Sequence, residues 1–315
     1  MTGFSADADG DDVPRVSAGI EVGTTSIDWM LVSPLGAILD KGSQETDQQN
    51  PRHQIKQLAH DLLQRNPGID GFGVVVPGIV DEKRGVAIYA ANIEMRNAHI
   101  AADIKNLTGI PTLLGHDGRA AGLAEKYMGA GKGANSFLMI PIGVGISMAA
   151  CVDGNLLSGD TFSAGEIGHS PIYPTGDLCR CGQYGCLEVY ASTDGMARRY
   201  SFLKGHELGA HEIQDRLGVD NIADEVWNTA VRALALGLVH LIMALDPSRI
   251  IVGGELASAG PLLLDPLHEN LASLLQWRDP PEIVRAHLGS SATGWGTAIL
   301  ASMAASHTSH ERWQA

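Results

Sequence analysis

Clustered basic residues are missing from this chain, apolar runs are short, and cysteine is scarce. Lys and Arg total 22 against 36 Asp and Glu in 315 residues, a formal net charge of −14. A nucleic-acid surface needs Lys and Arg gathered into a patch or stripe that neutralises phosphates. No such stripe occurs, so no nucleic-acid partner is expected. The longest apolar run, Ala233 to Leu245, carries His240 and is bounded by Arg232 and Asp246. It falls short of the roughly 20 apolar residues a spanning helix takes, so no membrane partner is expected. Residues 1–18 are acidic and lack the apolar stretch of a signal peptide. They read as a disordered leader, and a cytoplasmic location follows. No Pro- or Ser-rich linker divides the rest. At 315 residues the chain exceeds the roughly 250–300 at which single cores stop growing, which predicts two lobes.

The four cysteines are unevenly placed. Cys151 stands alone in an apolar strand-like run, ISMAACVDG, and reads as a buried inert thiol. Cys179, Cys181 and Cys186 form C-x-C-x4-C with Gly182 and Gly185 between them, and His169 lies upstream. These four soft or borderline ligands could close a tetrahedral Zn²⁺ shell. A set of reduced structural thiols is the alternative, since Cys-x-Cys is too short for an easy disulfide. Glu166 and Glu188 flank the cluster, so a metal site is expected against a ligand site.

Three stretches echo one another: Ile20–Ser26 (IEVGTTS), Ile140–Ser147 (IPIGVGIS) and Ile250–Leu256 (IIVGGEL). Each sets an apolar strand before a Gly-containing turn, which brings backbone close to an anion. Their recurrence points to a nucleotide cleft. The first two continue into apolar strands and read as hairpins; the third follows a helix predicted over Trp227 to Leu245. Between them, a helix near His53–Arg65, a strand at Gly71–Val76, a strand at Pro111–Leu114 and a helix at Arg119–Tyr127 alternate as in an α/β protein with mixed sheets. The lobes are placed at 19–114 and 115–294, with the cleft between them. The Ala-rich segment 295–305 reads as a closing helix and a candidate to pack on the first lobe; beyond Ser306 a frayed polar tail is expected.

Read in order, GIEVGTTS (19–26), VPGIVD (76–81), AANI (90–93), HDGRAAGLAE (116–125), GVGIS (143–147), AGEIGH (164–169), CRCGQYGCLE (179–188), DPSRIIVGG (246–254) and GWGTAILA (294–301) resemble the ROK family of bacterial sugar kinases and repressors. The resemblance covers nearly everything after residue 18, and GEIGH with CRCGQYGCLE is its most specific part. It implies the two-lobed, actin-like (ribonuclease H-like) ATPase fold. Repressors of the family carry a winged-helix DNA-binding domain before the first Gly turn, where this chain has residues 1–18. That favours the kinase branch, which resembles glucokinase.

The resemblance assigns roles residue by residue. Asp117 is implied as the catalytic base, although an aspartate opening a helix can also serve simply as a cap. Asn92, Asp117, Glu166, His169 and Glu188 occupy hexose-contacting positions. His169 joins the two sites, one ring nitrogen on structural zinc with Cys179, Cys181 and Cys186, the other toward a sugar hydroxyl. ATP and Mg²⁺ are implied at Glu21, Gly23, Thr24, Thr25, Gly143, Val144, Gly145, Gly253 and Gly254. Here the chain departs from the family. The usual D-x-G-G-T-K turn reads Glu21-Val22-Gly23-Thr24-Thr25-Ser26, the usual G-T-G-I-G-G reads Gly143-Val144-Gly145-Ile146-Ser147-Met148, and the Asn before the catalytic Asp is His116. The expected activity is ATP-dependent phosphorylation of the 6-hydroxyl of glucose or a related hexose, such as an amino-hexose like kanosamine, or a cyclitol. The alternative is a catalytically weak sugar-binding sensor with degenerate phosphate loops. A homodimer is expected by analogy with the family.

Overall fold

Every residue of the strand Val16–Val22 except Glu21 is buried, as befits a strand covered on both faces and paired on both edges. The computed structural model describes residues 15–90 and 93–314. From the start the chain runs β1 (Val16–Val22), β2 (Ser26–Val32), β3 (Ile38–Glu45), α1 (Pro51–Arg65), β4 (Ile69–Val76), β5 (Ile79–Asp81), β6 (Val86–Ala90), β7 (Met95–Ala98), α2 (Ile100–Thr108) and β8 (Thr112–His116). It continues through α3 (Asp117–Met128), β9 (Phe137–Pro141), β10 (Ala149–Val152), β11 (Asn155–Leu156), α4 (Leu187–Ala191), α5 (Thr193–Lys204), α6 (Ala210–Gln214), α7 (Asn221–Leu245), β12 (Arg249–Gly253), α8 (Pro261–Leu274), β13 (Glu282–Arg285) and α9 (Ala292–Ala304).

Two compact units result. One ends at Gly115 and regains Thr297–Trp313, and the other runs from His116 to Gly296. Their main sheets share one plan. In the first the order is β3-β2-β1-β4-β8, with β1, β2 and β3 antiparallel and β4 parallel to β1. In the second it is β11-β10-β9-β12-β13, with β9, β10 and β11 antiparallel and β12 parallel to β9. The weak echo in the sequence is therefore a repeated topology: IEVGTTS and IPIGVGIS are equivalent hairpins. IIVGG, closing β12, has its counterpart at the end of β4, where the chain reads VVVPG. Strands β5, β6 and β7 make a separate small antiparallel sheet.

β1 begins inside the stretch expected to be a disordered leader. Val16, Ser17 and Ala18 are buried and pair with Ile69, Val32 and Leu31. The acidic residues before them set the average composition and hid three strand residues; residues 1–14 lie outside the described residues.

The chain's other end differs from expectation too. Instead of fraying beyond Ser306, it forms a short 3₁₀ turn, Ser309–Arg312, and buries His310 and Trp313. The Trp313 indole N–H donates to the Pro34 carbonyl (3.1 Å), and His307 Nε2 stands 2.7 Å from Asp70 Oδ2. One indole offers more apolar area than the surrounding polar residues forfeit, so mean polarity misleads here. Just before it, α9 lies against the first sheet, where a Cβ on Gly73 would come within 2.0 Å of the Thr297 carbonyl oxygen.

The long helix of the second unit starts earlier than its apolar pattern suggests. Asp220 caps α7 by accepting the Ile222 N–H at 2.9 Å. By length and composition α7 could cross a membrane. Its buried stripe, including Val226, Ala230, Leu234, Leu238 and Ile242, instead belongs to the second unit's core.

Candidate functional site

The segment after β11 has little regular structure, and its order comes from short reciprocal bonds. Bridges pair Leu178 with Tyr184 and Pro171 with Cys186. Cys179 N–H donates to the Gln183 carbonyl (2.8 Å) and Gly182 N–H to the Cys179 carbonyl (3.0 Å). Gly185 has φ +72°, and a Cβ there would overlap the Tyr173 carbonyl, so only glycine makes this turn. As a consequence, one ligand atom from each of His169, Cys179, Cys181 and Cys186 lies within 4.8 Å of the others. Cys179 Sγ stands 3.8 Å from His169 Nδ1, and Cys181 Sγ 3.7 Å from Cys186 Sγ. A tetrahedron with metal–sulfur bonds of about 2.3 Å has edges of about 3.8 Å, so the set fits Zn²⁺. Charge agrees: burial first, then the neighbouring thiols, push Cys186 up to about 12. The Gln183 backbone draws the exposed Cys181 below its ordinary value. Were these thiols to ionise together, a bound cation would offset their mutual repulsion.

A 3₁₀ turn, Ile167–His169, carries the half-buried His169, with Glu166 exposed just before it. This loop is pressed onto the β9–β10 hairpin: an added Cβ would meet the Met148 carbonyl oxygen at 2.2 Å from Gly165 and the Ile146 carbonyl oxygen at 2.4 Å from Gly168. Glu188, in the first turn of α4, accepts the Ile146 N–H on Oε2 at 3.2 Å. The cysteine loop, the Glu166–His169 loop and the Gly143–Gly145 turn are thereby joined through close backbone approach and the Glu188 carboxylate.

That turn is fixed from two further sides. Ile142 N–H donates to the Gly253 carbonyl and Leu256 N–H to the Ile142 carbonyl, both at 3.0 Å, while Thr193 N–H donates to the Gly143 carbonyl at 2.8 Å. Gly254, at φ +74°, lies directly against Ile142. The Gly143 N–H closes the turn onto the Gly145 carbonyl (3.0 Å), with the Val144 side chain in solvent. Among the described residues, the Val144 and Gly145 amides have no acceptor, an arrangement suited to an anion.

Asp117 opens α3, where a carboxylate complements the helix dipole. Its Oδ1 accepts the Gly118 N–H at 2.6 Å and stands 3.2 Å from His116 Nε2. Among the described residues Oδ2 has no partner. A Cβ on Gly118 would lie 3.4 Å from Ser147 Oγ, so Asp117 and the Gly143–Ser147 hairpin are neighbours.

In the first unit, the Gly23 N–H donates to the Ser26 carbonyl at 2.8 Å, closing the β1–β2 turn. Thr46 Oγ1 and Gln48 Nε2 donate to the Gly23 and Thr24 carbonyls, each at 2.9 Å, and the Thr46 N–H to the Thr25 carbonyl at 3.0 Å. The carbonyls are consumed, and among the described residues the Thr24 and Thr25 amides have no acceptor. They border a recess of about 590 Å³ with Glu45, Thr46, Asp47 and Gln48. Glu21 faces Asp28 across the hairpin. Asn92 lies outside the described residues.

Residues the sequence reading passed over are the supports. Tyr173 and Tyr190 meet edge to face at 4.9 Å, and the Asp177 N–H donates to the Tyr190 hydroxyl at 2.7 Å, bracing the cysteine loop. Their signal was available, as PIYPTG before the cysteines and LEVYA after them. The Glu188–Ile146 bond and the stitching of Ile142 to Gly253 had none, because they depend on which strands become neighbours.

The ROK family model matches residues 17–304. A glucokinase of Halalkalibacterium halodurans is 30% identical, covering 88% of this chain and 92% of its own. A xylose repressor of Caldicellulosiruptor bescii is 25% identical, covering 80% and 68%. Among solved structures, a ROK family glucokinase from Streptomyces griseus, in complex with glucose and AMPPNP, is 26% identical with a TM-score of 0.74, covering 91% of this chain and 99% of that one. With the repeated sheet plan, these matches give the chain the actin-like ATPase fold. The chain belongs to the ROK family.

Proposed function

We propose that this protein is an ATP- and Mg²⁺-dependent sugar kinase that transfers the γ-phosphate to the 6-hydroxyl of glucose or a close hexose relative. The observation that carries the reading is the Asp117 carboxylate: Oδ1 is held by the Gly118 amide while, among the described residues, Oδ2 has no partner, next to the hairpin that carries Ser147 and, among the described residues, two amides without acceptors. Phosphoryl transfer is mostly positioning and electrostatics, with a carboxylate that takes the proton of the attacking hydroxyl. Oδ2 would accept that proton. Glu166, His169 and Glu188 would pair with sugar hydroxyls, and each unpaired buried polar group would cost about 1–3 kcal/mol. The Val144 and Gly145 amides would bind phosphate oxygens, and the Thr24 and Thr25 amides of the first unit are equivalent donors. Glu21 would hold Mg²⁺ through water, the ion when bound neutralising phosphate charge. His169, Cys179, Cys181 and Cys186 would hold Zn²⁺, which when bound fixes the loop and the His169 tautomer and, with four protein ligands, keeps no open position.

A second reading, a sugar-binding sensor, is favoured by Thr24, Ser147 and Met148 standing where phosphate-turn glycines are usual, and by the repressor relative. Asp117→Asn separates the two. As a kinase, the variant loses about 10²–10⁴-fold in kcat while sugar-dependent thermal stabilisation persists. Near-normal turnover would remove Asp117 from the role of base.

A further inference from the structure

We propose that His116 is a positioning residue for Asp117: its Nε2–H donates to Asp117 Oδ1 and, with the Gly118 N–H, turns the carboxylate so that Oδ2 meets the acceptor hydroxyl. This rests on the kinase reading above and deepens it.

Three observations converge. First, His116 Nε2 and the Gly118 nitrogen lie 3.2 Å and 2.6 Å from the same oxygen, Oδ1. Both are within hydrogen-bonding range. Second, His116 sits at the N-cap of α3 with extended backbone (φ −91°, ψ 141°), yet its side chain makes no cap bond to the helix. N-cap side chains ordinarily accept an N–H from the first turn; this one stands beside the adjacent carboxylate instead. Third, the ring is anchored while the carboxylate is not. His116 is the last residue of β8 and is buried, and its ring packs over Gly118, where a Cβ would approach Cε1 to 3.4 Å and Nδ1 to 3.5 Å. The Asp117 side chain is 45% exposed.

A half-exposed carboxylate held by one short backbone bond can still swing about its terminal torsion, whose well is broad. A second donor on the same oxygen, carried by a sheet-bound residue, fixes the carboxylate plane and leaves the other oxygen for chemistry. Misplacing a reacting group by about 1 Å can cost about 10²-fold. His116 therefore acts on kcat through Asp117, without touching the sugar.

The test compares His116→Gln, whose amide can place a donor near the position of Nε2, with His116→Met, of the same length but without a donor. Both are assayed for sugar-dependent ADP release and thermal stability. The Met variant is expected to lose about 10–100-fold in kcat, with KM for sugar and ATP within about 2-fold of wild type and an unchanged Tm. The Gln variant is expected to recover most of the loss. Should the Met variant not fold, His116→Leu, likewise apolar and without a donor, takes its place with the same expectation. Wild-type kcat in the Met variant, a loss confined to KM, or a folded Gln variant as slow as Met would overturn the proposal. A wild-type protein without sugar-dependent ADP release would overturn the kinase reading and this inference with it, and would be seen before any substitution is made.

Discussion

Glu188 should serve two neighbours at once, and its removal should register separately on each. Oε2 accepts the Ile146 N–H at 3.2 Å, in a space crowded by Gly145 and Gly168, where added Cβ atoms would lie 2.9 and 3.2 Å from that oxygen. Ile146 is buried, so Glu188→Ala leaves its amide without an acceptor, at a cost of about 1–3 kcal/mol. For a domain of 150–250 residues each kcal/mol lowers Tm by about 2–4 °C, so scanning calorimetry should show a fall of about 2–12 °C. The same loss loosens the Gly143–Gly145 turn, and KM for ATP should rise by roughly 5–150-fold if the whole cost falls on nucleotide binding. Glu188→Gln keeps a carbonyl oxygen for Ile146 and loses only the charge. It should melt near wild type yet raise KM for the sugar. Two variants with wild-type Tm and unchanged KM for both substrates would refute the dual role.

Other expectations concern the metal and the termini. Cys181→Ser should abolish zinc binding by elemental analysis, and sugar affinity and Tm should fall together, because the Glu166–His169 loop is tied to the cluster. A thiol pushed up to about 12 is protonated throughout the neutral range. Zinc must displace that proton, so its affinity should rise with pH and chelator stripping should quicken as pH falls; a rate flat from about pH 6 to 8 would contradict this. Trp313→Ala should destabilise the first unit by about 3–5 kcal/mol in urea unfolding, since the indole is fully buried and donates to Pro34.

What could be read from the sequence depended on whether the signal was local. C-x-C-x4-C, its glycines and His169 lie close along the chain, and those four residues do converge. The hairpins at Gly23 and Gly143 were legible because a turn between two apolar runs is a short-range feature. Pairings made by topology were not. Nothing near Ile142 announces Gly253, which reaches it only because β12 is laid parallel to β9. The third echoed turn follows a helix and is no hairpin, and the shared sheet order matches it to the end of β4, which spacing alone did not reveal. The termini misled for one reason, averaged composition: the acidic residues ahead obscured Val16–Ala18, and the polar residues around it obscured Trp313.

The most direct test is ADP release by the zinc-replete protein with Mg²⁺-ATP across glucose, mannose, N-acetylated and free amino-hexoses, and cyclitols. A kinase built around Asp117 turns over at least one of these sugars, in step with the appearance of its 6-phosphate. Silence across the whole panel, with sugar-dependent thermal stabilisation retained, would contradict the kinase and leave a sugar-binding sensor.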